Sequence, residues 1–102
     1  MKTLEHLLSP IKIRNLEIPN RLVLPPMGTG LASTDSTVSD ANLAYIRKRA
    51  ASGVGLVITE VTAVDPLGQL SPQQLAIWND DFIPGLSKMA QAIHEPGAKA
   101  SL

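Results

Sequence analysis

The chain has 102 residues, enough for one small domain with a modest core. Apolar residues at 44% and charged ones at 18% are ordinary for a globular protein, and a formal net charge of zero gives nothing to steer it toward nucleic acid or an anionic membrane. The absence of cysteine excludes disulfides, thiolate zinc sites and a cysteine nucleophile.

The opening Met1-Lys2-Thr3-Leu4-Glu5-His6 is too polar for a signal peptide, and no apolar run approaches membrane-spanning length, so a cytoplasmic location is expected. Residues 10–20 alternate apolar and polar around Arg14-Asn15, the pattern of a short hairpin. Leu22–Leu24 are consecutive apolar residues, which suits a strand covered on both faces. Residues 25–38 read as a Gly-, Ser- and Thr-rich loop. Ser39 offers a helix N-cap, with Asp40 in the first turn where the helix dipole favours it. Leu43, Ile46 and Ala50 recur at helical spacing, Arg47, Lys48 and Arg49 fall in the last turn, and Gly53 stops the helix. Val54–Thr59 is a second apolar, β-branched strand. The long connection Glu60–Asp80 contains Asp65-Pro66-Leu67-Gly68, which fits a type I turn. Loops of that length usually carry function or hide a short helical turn. A second helix is expected after Asp80-Asp81, with Pro84 in its first turn and Leu86, Met89, Ala90 and Ile93 on its buried face. Pro96-Gly97 stops it, and Ala98–Leu102 begin a third strand. The expected organisation is a hairpin over 10–20, βα units over 21–53 and 54–97, and the start of strand three over 98–102.

Strands alternating with helices imply a parallel sheet, closed either as a doubly wound open sheet or as a (β/α)8 barrel. In both, chemistry gathers on the loops that follow the strands. Those loops, 25–38 and 60–80, are long, while the loops before the strands, 52–53 and 96–97, are minimal. Any site therefore belongs at the strand C-terminal ends. A barrel needs about 250 residues, so this chain supplies about three of its strands. Gly28-Thr29-Gly30-Leu31-Ala32-Ser33 does not make a dinucleotide fingerprint, because Ser33 holds the third glycine's place and the helix opens well downstream of the loop. Nor does a Gly-Lys-Ser/Thr follow for a phosphate-binding loop.

Leu8-Ser9-Pro10-Ile11-Lys12-Ile13, Leu16-Glu17-Ile18-Pro19-Asn20-Arg21 and Val23-Leu24-Pro25-Pro26-Met27-Gly28-Thr29 form one set of motifs. Gly53-Val54-Gly55-Leu56-Val57-Ile58-Thr59-Glu60, Gln74-Leu75-Ala76-Ile77-Trp78-Asn79-Asp80 and His94-Glu95-Pro96-Gly97-Ala98-Lys99 continue it. In that order, and over essentially the whole chain, they resemble the old yellow enzyme family of FMN-dependent oxidoreductases. Met27-Gly28-Thr29 is most similar to the 2-enoate reductase, 2,4-dienoyl-CoA reductase and NADH oxidase branch. Dihydroorotate dehydrogenases and dihydrouridine synthases share the Asn-Arg and Pro-Met opening but lack the match at Ile77-Trp78-Asn79-Asp80.

The resemblance implies an α/β fold, the N-terminal fragment of an FMN-binding TIM barrel with about three strands and two helices behind a short hairpin. It implies hydride transfer from NADH or NADPH, through flavin N5, to the activated C=C bond of a small unsaturated carbonyl compound. By position, Pro25, Pro26 and Met27 would line the isoalloxazine ring. Gly28 stands where relatives often carry Thr or Cys, so any tuning of the flavin there would come from its backbone or a water. Val61 falls where the second strand approaches the ring and many relatives carry Ala or Gly. The chemistry of Pro25-Pro26 agrees, since a rigid, side-chain-poor turn suits one face of a planar ring; alone, the same dipeptide would simply end a strand.

Other side chains have plainer readings. His6 is expected at the surface and His94 in the last turn of a helix; neither has a second ligand at metal spacing, so no metal is expected. Glu60 could serve as acid or base but reads better as a hydrogen-bond partner of neighbouring strands or loops. Tyr45 reads as packing, Trp78 as a pin for the long loop, and Asp80 and Asp81 as helix caps. In the family, the pyrimidine-binding glutamine, the substrate anchors, the proton donor and the phosphate loops follow later than residue 102. No catalytic residue is therefore assigned, and these residues alone are expected to be inactive. Unpaired edges on the second and third strands would favour self-association. The competing reading is a non-catalytic β/α module that oligomerises, without nucleic-acid or membrane partners.

Overall fold

A computed structural model describes residues 3–102; Met1 and Lys2 of the polar opening segment lie outside the described residues. The chain enters through a single helical turn, α1 (Glu5–Leu8), and an antiparallel hairpin of β1 (Ile11–Ile13) and β2 (Leu16–Ile18). Its two-residue turn holds Arg14 at φ 52°, the left-handed backbone that tight hairpins require. Ile18 is buried, and Asn20 then ties the hairpin down. The Asn20 side-chain amide donates to the Gly53 carbonyl at 2.7 Å, and its side-chain oxygen accepts from the Leu22 N–H at 3.0 Å. These bonds seat the hairpin at the N-terminal ends of the strands that follow.

Next come β3 (Val23–Leu24), α2 (Asp40–Ala50) and β4 (Leu56–Ile58). Ser39 caps α2 in a capping box with Asn42: the Ser39 hydroxyl accepts from the Asn42 N–H, and the Asn42 side chain accepts from the Ser39 N–H. The connection after β4 carries β5 (Thr62–Ala63), a 3₁₀ turn over Pro66–Gly68 capped by Asp65, and β6 (Leu75–Ala76), which pairs parallel with β5. A 3₁₀ turn over Asp80–Phe82 leads into α3 (Ile83–His94), and β7 (Lys99–Ser101) follows. Asn79, not Asp80 or Asp81, is the cap there, because its side-chain oxygen accepts from the Asp81 N–H. The two aspartates are exposed in the first turn instead.

The main sheet is parallel in the order β3–β4–β7. Both helices pack on one face of it and on each other, with Ile46, Ala50, Met89, Ala92 and Ile93 closing over Val57 and Ala98. Sequential neighbours with helices on a single face are the winding of a (β/α)8 barrel; a doubly wound sheet carries helices on both faces. Three expectations change here. The strands are shorter than 22–24 and 54–59, and the opposite face of the sheet is uncovered, leaving Val23 46% exposed. The open edges are β3 and β7, because β4 pairs on both sides.

Candidate functional site

The loops that leave the C-terminal ends of β3 and β4 are stitched together. The Ala76 N–H donates to the Ser36 carbonyl at 3.2 Å, and the Ala32 N–H to the Gln73 carbonyl at 3.3 Å. The Gln69 side-chain amide donates to the Ser36 hydroxyl at 2.7 Å. Within the first loop, the Thr37 hydroxyl and N–H both donate to Asp35 Oδ1, which holds the Asp35 carboxyl below the usual carboxylate range. Leu75 and Ala76 are buried, so this connection joins the core rather than lying over it.

Glu60, the second residue after β4, is the polar hub. Its Oε2 accepts from the Thr29 N–H at 3.0 Å, and the Thr29 hydroxyl lies 2.8 and 2.9 Å from its two oxygens. The Asn42 side-chain amide donates to Oε1 at 2.9 Å. Asn42 is 1% exposed, a polar residue on the helix face expected to be apolar, and Glu60 is its reason for being there. The hydrogen-bonding reading of Glu60 thus holds. Tyr45 packs against the core under the Arg49 guanidinium, 3.4 Å above its ring. Trp78 meets Phe82 edge-on with ring centroids 5.1 Å apart, pinning the long loop to the start of α3. His6 and His94 are exposed, and among the described residues no group of His, Asp and Glu could hold a metal. Nor is any helix there long and apolar enough to cross a membrane.

Two open clefts flank the end of β4 and share Glu60 and Val61. The smaller, ≈ 210 Å³, also takes in Gly28, Gly30 and Gln74. The larger, ≈ 460 Å³, is walled by Pro26, Ile58, Val61, Ile77 and Leu102. Thr59, 7% exposed, lines the larger one, and its hydroxyl oxygen is buried without a hydrogen-bond partner. At the strand ends Val61 thus stands between the two clefts, with Gly28 on the smaller and Pro26 on the larger. Pro25 and Met27 instead line a void of ≈ 10 Å³ with Asn42 and Tyr45 on the helix side. Gly28 has φ outside the left-handed range, and a Cβ there would touch nothing within 4 Å. Glycine at this position provides room, not a special backbone conformation. Apolar walls with a few convergent polar groups fit a flat, mostly apolar ligand with a polar edge, as a flavin ring is. No lysine or arginine lines either cleft, so nothing there fits a phosphate.

The arrangement is that of the opening strands and helices of a (β/α)8 barrel, a fold whose sites form at the strand C-terminal ends. Residues 6–102 match the NADH:flavin oxidoreductase / NADH oxidase family, and the chain belongs to it. Among its relatives, an NADPH dehydrogenase of Listeria monocytogenes serotype 4b is 38% identical over 97 residues, covering 94% of this chain and 29% of the relative. The NADPH dehydrogenase of Halalkalibacterium halodurans is 39% identical over 101 residues, covering 97% and 30%. A 2-naphthoyl-CoA reductase structure superposes with a TM-score of 0.91 at 32% identity, covering 94% of this chain and 15% of that one. The old yellow enzyme of Pichia sp. AKU4542 gives 0.86 at 32%, covering 93% and 25%. The chain thus spans under a third of the length of these relatives and corresponds to their N-terminal segment.

Proposed function

We propose that this chain forms the opening part of an FMN-dependent NAD(P)H oxidoreductase of the ene-reductase type. The observation that carries this reading is the placing of Gly28 and Pro26 on two neighbouring clefts at the strand ends, both of them lined by Val61, in a chain of this family. FMN, when bound, supplies the redox chemistry by passing a hydride from NADH or NADPH to an activated C=C bond. The chain supplies shape. Pro26 and Val61 offer apolar walls to the ring, and Gly28 leaves its edge accessible. These residues hold and orient; none is placed to move a proton to a substrate. With one face and edge of the ring covered, the 102 residues alone turn over no alkene.

Covering about 150 Å² of apolar ring surface gives roughly 4 kcal/mol before the cost of association is taken off, so binding no tighter than about 1 mM is expected. Because no cation lines the clefts, excess inorganic phosphate should not displace FMN in a fluorescence titration, beyond the effect of a chloride control at equal ionic strength. A built phosphate site would contribute about tenfold or more in affinity and be competed away. Competition by phosphate would contradict the ring-only reading, and no binding into the tens of millimolar would contradict the flavin reading itself.

A further inference from the structure

The Glu60 carboxylate has no direct assignment in a flavin site. Two oxygens receive donors from the Thr29 backbone, the Thr29 hydroxyl and the Asn42 amide. That is an acceptor's arrangement: each oxygen already receives a donor from the protein. Thr29 N–H and Gly28 C=O belong to one planar trans peptide, so a donor aimed at Glu60 turns the Gly28 carbonyl the opposite way. Gly28, with open space around its missing Cβ, would otherwise let that peptide swing. Asn42 holds the carboxylate from the other side and is itself fixed in the capping box of α2. Helix start, strand end and loop turn thus meet in one hydrogen-bonded unit, with Gly28 and Glu60 on the wall of the same cleft.

We propose that Glu60 is a positioning residue of the flavin site: held by Asn42, it fixes the Gly28–Thr29 peptide that faces the ring edge. This rests on the flavin reading above.

The test is Glu60→Gln in the ¹⁵N-labelled chain, read by amide hydrogen exchange without ligand and by the Gly28 amide shift on adding FMN. Glutamine keeps the size but turns one acceptor oxygen into a donor. The Thr29 amide should exchange about tenfold or more faster in Glu60→Gln, the scale expected for losing a charge-assisted bond. The FMN-induced shift at Gly28 should weaken or vanish while that at Val61 persists. If Glu60→Gln does not fold, Thr29→Val, which retains the carboxylate and the backbone donor, should show the same changes at smaller amplitude. Unchanged Thr29 exchange would overturn the clamp. Faster exchange with an unchanged Gly28 response to FMN would leave Glu60 purely structural and overturn the positioning role. A wild-type chain that shows no response to FMN would overturn the flavin reading and this proposal with it.

Discussion

Leu75→Ala should lower the unfolding free energy by about 2–5 kcal/mol, a large part of the roughly 5–15 kcal/mol that holds a small domain together. Leu75 is 0% exposed and sits in the same core cluster as Ile46, Met89 and Ile93, although it lies in the connection between β4 and α3. Pairing of β5 with β6 sets its register, and the Ala76 bond to Ser36 holds the strand against the first loop. Truncation leaves a cavity in that core cluster, whose packed side chains cannot collapse far into it. Leu67 in the same connection is 98% exposed, and Leu67→Ala should stay within about 0.5 kcal/mol of the parent. Urea titrations of the two variants check this. Equal, small effects would mean that the connection is a loop over the core and not part of it.

Gly55→Ala should cost about 1–3 kcal/mol by overpacking. Its Cβ would lie 2.7 Å from both the backbone and side-chain oxygens of Asn20, and 3.0 Å from Ile18 Cγ2. The Asn20 side chain can turn aside, but the backbone oxygen cannot without lifting the hairpin from the strand ends. Adding Asn20→Ala should therefore recover only part of the loss, and it also removes the bonds to Gly53 and Leu22. Faster amide exchange at Leu22 in Gly55→Ala would locate the damage at this contact. An unchanged urea midpoint would show that the hairpin docks loosely.

What was legible in the sequence was local. The Ser39 cap, the glycine stops at Gly53 and Gly97 with φ of +92° and +104°, and the apolar spacing of Ile46, Ala50, Met89 and Ile93 each follow from a few neighbouring residues. The choice between the two sheet windings was not local, because it depends on which face both helices share. Leu75 was missed because β5 and β6 are two residues each, too short for alternation to appear. Asn-Asp-Asp at 79–81 presents consecutive capping residues, and only the backbone geometry selects Asn79. Asn42 and its carboxylate partner are 18 residues apart, and Thr29 and Glu60 are 31 apart. The available signal was a polar residue at the third position of a capped helix, on the face that should be apolar. Pro25, Pro26, Met27, Gly28 and Val61 were all assigned to the ring by the resemblance; that Pro26, and not Pro25 or Met27, lines an open cleft required the fold.

The most direct measurement is an FMN titration of the ¹⁵N-labelled wild-type chain, followed residue by residue. The account predicts saturable amide shifts at Gly28, Thr29 and Val61, with none at Lys12 or Arg14 in the hairpin or at Lys48 on the exposed side of α2. Shifts centred on the hairpin or the helices, or no saturable shift anywhere, would contradict a flavin site at the strand C-terminal ends.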